Sequence, residues 1–339
     1  MRDSLLFFNP YIGDTILATA LAKKVEDRYP DECVYVASLN EEMRELTDML
    51  GGKGFTYHYL EEFLLEGSKV GPVIKQYQGG TDFSYSFSPT PEEEEQITMM
   101  CENIIYHLDV TFECFLTLHY SYAFAKLGQI AKKHGLSVYG YCLDENNRLY
   151  FSRDTTPLEV VSLWDKGFIG ERLSRLLTGL PITSQDYASI PRTESKGKVL
   201  LFPTTRSLNT NAGNWELDVQ VLAKAGVDFQ VWWHWDEETP NFIHQLSPNR
   251  YGRFTTVFEM IELIRGADYI ICYDSASFHL AYLAGVPAIV KLKGGFNEEW
   301  IPEWIKDDKN YYFIPALTMY EEEYMNHLFR GLVQIGAKL

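Results

Sequence analysis

The sequence contains no apolar run approaching the roughly 18–20 residues that a bilayer-spanning helix needs. No integral membrane segment is therefore expected. Its apolar start, Leu5-Leu6-Phe7-Phe8, stops at Asn9-Pro10, and Asp14 follows soon after. That stretch is short for a secretion signal and reads as a buried first strand, so a cytoplasmic location is expected. Cysteine is sparse. The five residues, Cys33, Cys101, Cys114, Cys142 and Cys272, are odd in number, widely spaced and without a Cys-x-x-Cys pair. A disulfide framework and a structural zinc site are both disfavoured, and buried, inert thiols are expected. Positive charge is also short throughout. Residues 1–150 carry 12 Lys and Arg against 23 Asp and Glu, and residues 151–339 carry 18 against 24. With no basic stripe in either half, tight nucleic-acid binding is disfavoured, and so is broad adhesion to anionic membranes.

What is present is material for a core. Of the 339 residues, 46% are hydrophobic and 14% aromatic, enough for two domains. Short apolar strands alternate with amphipathic helices, the pattern of doubly wound α/β sheets. Strands are predicted at Leu5–Phe8, Val34–Ala37, Leu108–Leu118 and Ser137–Tyr141, with helices at Gly13–Tyr29, Glu41–Leu50 and Ser121–His134. A second series begins near Lys198. Its strands are Val199–Phe202, Asp228–Trp235, Tyr269–Cys272 and Ala288–Leu292, and its helices are Glu216–Ala225, Val257–Arg265 and Ser277–Ala284. The expected domains are 1–180, with an irregular insertion near 67–100, and 190–320, joined by a Gly- and Pro-containing linker within 179–197. Glu92–Glu95 reads as the acidic start of a helix. An amphipathic helix over Tyr320–Gly336 is expected to close the chain.

The strongest local signal is the run from Ala267 to Ala281, in which the buried strand Tyr269-Ile270-Ile271-Cys272 leads through Tyr273 into Asp274-Ser275-Ala276-Ser277 and then a helix. At such a junction the first helical N–H groups lack internal acceptors and carry the positive end of the dipole. Ser275 and Ser277 add hydroxyl donors, and His279 lies one turn in. A diphosphate fits this arrangement. A simple helix cap by Asp274 or Ser275 fits it too, and the two readings are compatible.

The segment ADYIICYDSASFHLAYLAGVPAIVKL resembles the C-terminal signature of glycosyltransferase family 9, the bacterial heptosyltransferases. Two further echoes follow in family order: IGDTILATALAKKVEDRYPD near the N-terminus and LDVTFECFLTLHYSYAFAKLGQIAKKHGLSVYGY in the middle. The resemblance implies the GT-B architecture, two Rossmann-like domains facing a central cleft, with the C-terminal helix (320–339) packing back on the N-terminal domain. It also implies inversion at the sugar, no metal and no bound cofactor, with the nucleotide-diphosphate sugar as co-substrate and ADP-heptose as the first guess. By the same resemblance Asp14, in the loop with Gly13, is the general base that takes a proton from the acceptor hydroxyl. From the residues alone, Asp14 reads rather as an N-cap or first-turn acid of the helix that follows Gly13.

The sequence departs from the family pattern in its central loop. A basic residue is expected shortly before Trp215, but Asn214 stands there. Arg206 is the nearby cation, with Thr204 and Thr205 as oxygen-binding neighbours. A carboxylate that holds the donor ribose falls, by resemblance, at Asp236 or Glu237. The neighbouring tryptophans Trp232, Trp233 and Trp235 are expected in the core and at a domain interface.

The expected function is an inverting, metal-independent transfer of a sugar, heptose first, to an acceptor hydroxyl. The acidic N-terminal half favours a neutral glycan, a protein or a small molecule as acceptor. Two alternatives share the architecture: a degenerate protein that binds a sugar nucleotide without transferring it, and a sugar-nucleotide epimerase or hydrolase.

Overall fold

The computed structural model describes residues 1–339 except 9–10, 39, 57–88, 109–111, 119–121, 154–166, 195–196, 204–213, 293–300, 316–320 and 338–339. The chain forms two compact units, Met1–Tyr187 and Ala188–Leu339.

The first unit runs β1 (Arg2–Phe7), α1 (Ile12–Arg28), β2 (Glu32–Ala37), α2 (Glu41–Met49), β3 (Gly54–Phe55), α3 (Pro91–Leu108), β4 (Cys114–Thr117), α4 (Tyr122–Lys133), β5 (Ser137–Leu143), β6 (Leu149–Arg153) and α5 (Ile169–Thr178). Its sheet order is β3-β2-β1-β4-β5-β6. Every pairing is parallel except that of β5 with β6. Helix α1 is buried over most of its first three turns and packs on β2, α2 and α5. This explains why it carries Ala and Thr between its large apolar residues. Helix α3 opens with Thr90 and Glu93 in a reciprocal cap. The Thr90 N–H donates to Glu93 Oε2 at 2.8 Å, and the Glu93 N–H donates to Thr90 Oγ1 at 3.3 Å. The acidic run thus starts a helix, because its side chains satisfy and complement the first N–H groups.

The second unit runs β7 (Val199–Phe202), α6 (Trp215–Lys224), β8 (Phe229–His234), β9 (Tyr251–Phe254), α7 (Val257–Arg265), β10 (Tyr269–Tyr273), α8 (Ala276–Leu283), β11 (Ala288–Lys291), α9 (Glu303–Lys306), β12 (Tyr311–Ile314) and α10 (Glu321–Gln334). Its sheet is wholly parallel in the order β12-β11-β10-β7-β8-β9. Strands β7, β10 and β11 are buried at every residue, as expected of a parallel sheet covered on both faces.

One expectation is corrected. The strand drawn from Leu108 begins only at Cys114, since Leu108 ends α3. Ile104, Ile105, Leu108, Phe112 and Phe115 share one core cluster, so the apolar run passes from helix to strand without a compositional break. The terminal helix α10 packs within the second unit. Tyr324, Leu328 and Leu332 of α10 are buried with Val199, Ile271 and Ile289 of the second sheet. Helix α3 begins at Pro91, where the acidic run was expected to open a helix; residues 67–88 of the insertion lie outside the described residues. Strands β6, β9 and β12 and helix α5 had not been anticipated. All five cysteines are buried, none in a disulfide, and burial raises the Cys101 thiol and pushes that of Cys142 up to about 11.

Gly140 in β5 has φ +115°, and a Cβ there would stand 2.4 Å from the Thr117 carbonyl oxygen of β4. Gly140→Ala is expected to destabilise the first unit by at least about 1–3 kcal/mol from backbone strain alone. A urea transition with an unmoved midpoint would contradict this packing of β4 against β5.

Candidate functional site

In both sheets the strand order reverses beside the first strand of the unit, between β1 and β4 and between β7 and β10. Crossovers leave such a point in opposite directions and open a crevice at the carboxyl ends of the strands. Gly13 and Asp14 follow β1, and Asp274, Ser275, Ser277 and His279 follow β10.

In the first unit the β1–α1 connection leads to Tyr11, which is extended (φ −94°, ψ 160°) and gives α1 no side-chain cap. The Thr15 N–H donates to the Tyr11 carbonyl at 2.8 Å and closes the first turn. Gly13 and Asp14 are the second and third residues of α1, so Asp14 is a first-turn acid and not the N-cap. It is 7% exposed, on a helix end whose dipole favours a carboxylate.

In the second unit, β10 ends in Tyr273 and the Asp274 N–H donates to the Lys291 carbonyl at 3.3 Å. Ser275 is the extended N-cap of α8, and its carbonyl accepts the N–H groups of Phe278 (3.0 Å) and His279 (3.2 Å). Its hydroxyl makes no cap bond and lies 3.0 Å from that of Ser277. The Ala276 and Ser277 N–H groups belong to the first turn, where the helix offers no acceptor. Phe278 is fully buried and meets Tyr311 and Phe313 edge-on, which fixes the rotation of α8. The half-buried His279 ring is braced edge-on by Tyr282 at 5.6 Å. The structure therefore brings Asp274, Ser275, Ser277 and His279 into one turn at the reversal point.

Behind this turn lies a cluster that had not been anticipated. Lys291, the last residue of β11, and Asp218, in the first turn of α6, form a fully buried ion pair. The Lys291 ammonium also sits 3.4 Å from the centroid of the Trp215 ring. The Tyr324 hydroxyl of α10 donates to the other Asp218 oxygen at 2.5 Å, and Trp215 Nε1 donates to the Tyr273 hydroxyl at 3.0 Å. Burial raises the Asp218 carboxyl and lowers the Lys291 ammonium, while each partner's charge opposes that shift. The signal was available as a lysine inside the apolar strand Ala288-Ile289-Val290-Lys291-Leu292.

Asp236 and Glu237 stand beyond β8 and are both engaged with His234. Asp236 Oδ1 pairs with His234 Nδ1, and His234 Nε2 lies 3.1 Å from the Thr255 carbonyl. Glu237 Oε2 accepts the His234 N–H at 3.3 Å. Trp233 is core, Trp232 is half-buried and Trp235 is exposed. Thr204, Thr205 and Arg206 lie outside the described residues.

No protein-family model matches the sequence, and no curated protein does. Solved structures match along its whole length. The E. coli ADP-heptose LPS heptosyltransferase II is 13% identical, with 98% of this chain and 99% of that one covered at a TM-score of 0.56. A family 9 glycosyl transferase from Veillonella parvula is 10% identical over 99% of this chain and 93% of that one, also at 0.56. E. coli heptosyltransferase WaaC, solved with ADP, is 10% identical over 97% and 99%, again at 0.56. The chain has the fold of these glycosyltransferases, the GT-B architecture.

Lys291→Met leaves Asp218 buried without its cation and is expected to cost about 3–5 kcal/mol. Adding Asp218→Leu is expected to recover most of that loss, because two apolar side chains replace two desolvated charges. Urea denaturation of the single and double variants checks both. A double variant no more stable than the single one would show that the pair is not the source of the loss.

Proposed function

We propose that the chain is a glycosyltransferase that moves a sugar from a nucleotide-diphosphate donor to an acceptor hydroxyl. The observation that carries this reading is the Asp274–His279 turn. It concentrates two hydroxyls, first-turn N–H groups and an imidazole at the reversal point of a sheet whose fold is shared with heptosyltransferases. In this reading the acceptor oxygen attacks the anomeric carbon as the bond to the diphosphate breaks, and attack from the opposite side inverts the centre. Asp14 takes the proton from the acceptor hydroxyl. The charge developing on the leaving diphosphate is met by the first turn of α8, Ser275, Ser277 and His279, with Thr204, Thr205 and Arg206 from the loop after β7. Asp274 lies toward the sugar. No metal ion is assigned a role.

ADP-heptose is the first donor to test, supported by the likeness to heptosyltransferases and by the ADP bound to one of them. Asp236 or Glu237 is assigned to the ribose hydroxyls, which requires that carboxylate to exchange its bond with His234 for one to the donor. The acceptor is taken to be neutral, given the acidic first half, and the reaction is placed in the cytoplasm.

One observation favours a second reading, binding without transfer: no basic residue stands immediately before Trp215. Incubation with donor and an acceptor panel separates the two. A transferase forms product and leaves donor alone nearly untouched, a protein that only binds forms no product with any acceptor, and an epimerase or hydrolase consumes donor without acceptor.

Asp14→Asn is expected to lower kcat by about 100- to 10,000-fold with donor affinity unchanged. Transfer at the parental rate would remove Asp14 from the mechanism. Ser275→Ala and His279→Ala are expected instead to reduce the thermal stabilisation given by saturating nucleoside diphosphate. Undiminished stabilisation in both variants would place the diphosphate elsewhere.

A further inference from the structure

The second sheet holds an exposed indole that its own packing does not explain. Trp233 is buried in the core. Trp232 covers Gly252, where an added Cβ would stand 2.5 Å from the ring. Trp235 is different. It is 56% exposed, more than any other tryptophan among the described residues. Its ring is therefore accessible to a ligand, and an indole combines a large apolar face with one polar N–H.

Its placement is fixed by the backbone. The Trp235 N–H donates to the Phe254 carbonyl at 2.9 Å, which anchors the residue at the end of β8 beside β9. The His234 ring, held by Asp236 on one side and the Thr255 carbonyl on the other, lies 6.0 Å from the indole. The sheet register locates this end relative to the candidate site. Ile271 pairs with Leu201, and Leu201 pairs with Val231, so the three share one row across β10, β7 and β8. Ser275 and Trp235 each follow that row by four residues. Strand spacing separates the ends of β8 and β10 by about 10 Å. A ligand whose diphosphate lies at Ser275 and whose remainder runs along the sheet end over β7 therefore arrives at Trp235.

We infer that Trp235 is the stacking platform for the nucleobase of the donor. This rests on the donor-site reading above and adds to it the residue that holds the base. The indole offers a flat π-face that every nucleobase can cover, so its contribution is indifferent to base identity. It secures the nucleoside while leaving the choice of base to other contacts.

Isothermal titration of the parent, Trp235→Phe and Trp235→Leu with ADP and with UDP tests this. Trp235→Leu keeps an apolar side chain but removes the π-face, and is expected to weaken both nucleotides about 10- to 100-fold. Trp235→Phe is expected to retain most of the parental affinity. The inference is overturned if Trp235→Leu binds as tightly as Trp235→Phe, or if only one of the two nucleotides is weakened. A parent that binds neither nucleotide overturns the donor-site reading itself, and the stacking role with it. Because Trp235 is exposed, the variants are expected to fold as the parent does, and circular dichroism confirms it.

Discussion

A parallel strand can be reached only by a crossover, and in both units the crossovers depart in opposite directions from the first strand. This constraint organises everything else. It covers both faces of the sheets, so β7, β10 and β11 are buried throughout. It also sends the N-termini of crossover helices such as α1 and α8 to the carboxyl ends of β1 and β10, where α1 presents Asp14 and α8 presents Ser275. Polar chemistry collects at that end because nothing else in a doubly wound sheet leaves backbone N–H groups unused in so apolar a setting.

The buried Lys291–Asp218 pair belongs to the same end. Apolar residues of equal volume would stabilise the core as well or better, since each charge loses its hydration there. What the pair adds is direction. An ammonium over the Trp215 ring and against Asp218 holds the first turn of α6 at one place on β11, and Tyr324 ties α10 to the same carboxylate. The Asp274 N–H takes its acceptor from the backbone of Lys291 itself. The turn at the reversal point and the helix after the β7 loop are thus referred to one residue.

Much of this was legible in the sequence, because strand and helix periods were strong wherever one element faced one environment. Val199–Phe202 and Val257–Arg265 fall at their predicted bounds, and the Asp274 turn follows β10 as the pattern required. Legibility failed where periods ran together. From Ile104 to Phe115 the helix, loop and strand all feed one core, so hydrophobicity carried no boundary. At α10 the amphipathic pattern gave the helix itself, Glu321–Gln334, but such a pattern shows that a face is buried and not against what. The engagement of Asp236 and Glu237 with His234 was equally invisible, being a matter of side-chain geometry within one tight turn. Lys291 was visible as an anomaly, but its partners lie 73 and 33 residues away in the chain.

Charge decides what kind of recognition the second unit can offer. Residues 273–287, which contain the whole turn and α8, include no Lys or Arg, and Lys291 nearby is already matched to Asp218. The fixed cation assigned to the proposed site, Arg206, comes from outside the turn. The turn itself can therefore meet a diphosphate only with N–H groups, hydroxyls and an imidazole, which are dipolar donors. Such donors are worth most where water is excluded and little where it is not. They also hold an anion less firmly in the ground state than a lysine would, so less of the leaving-group stabilisation is spent before the sugar bond breaks. Part of the donor's affinity must then come from its uncharged portion. An exposed indole two strands away supplies that need without adding charge to an already acidic protein.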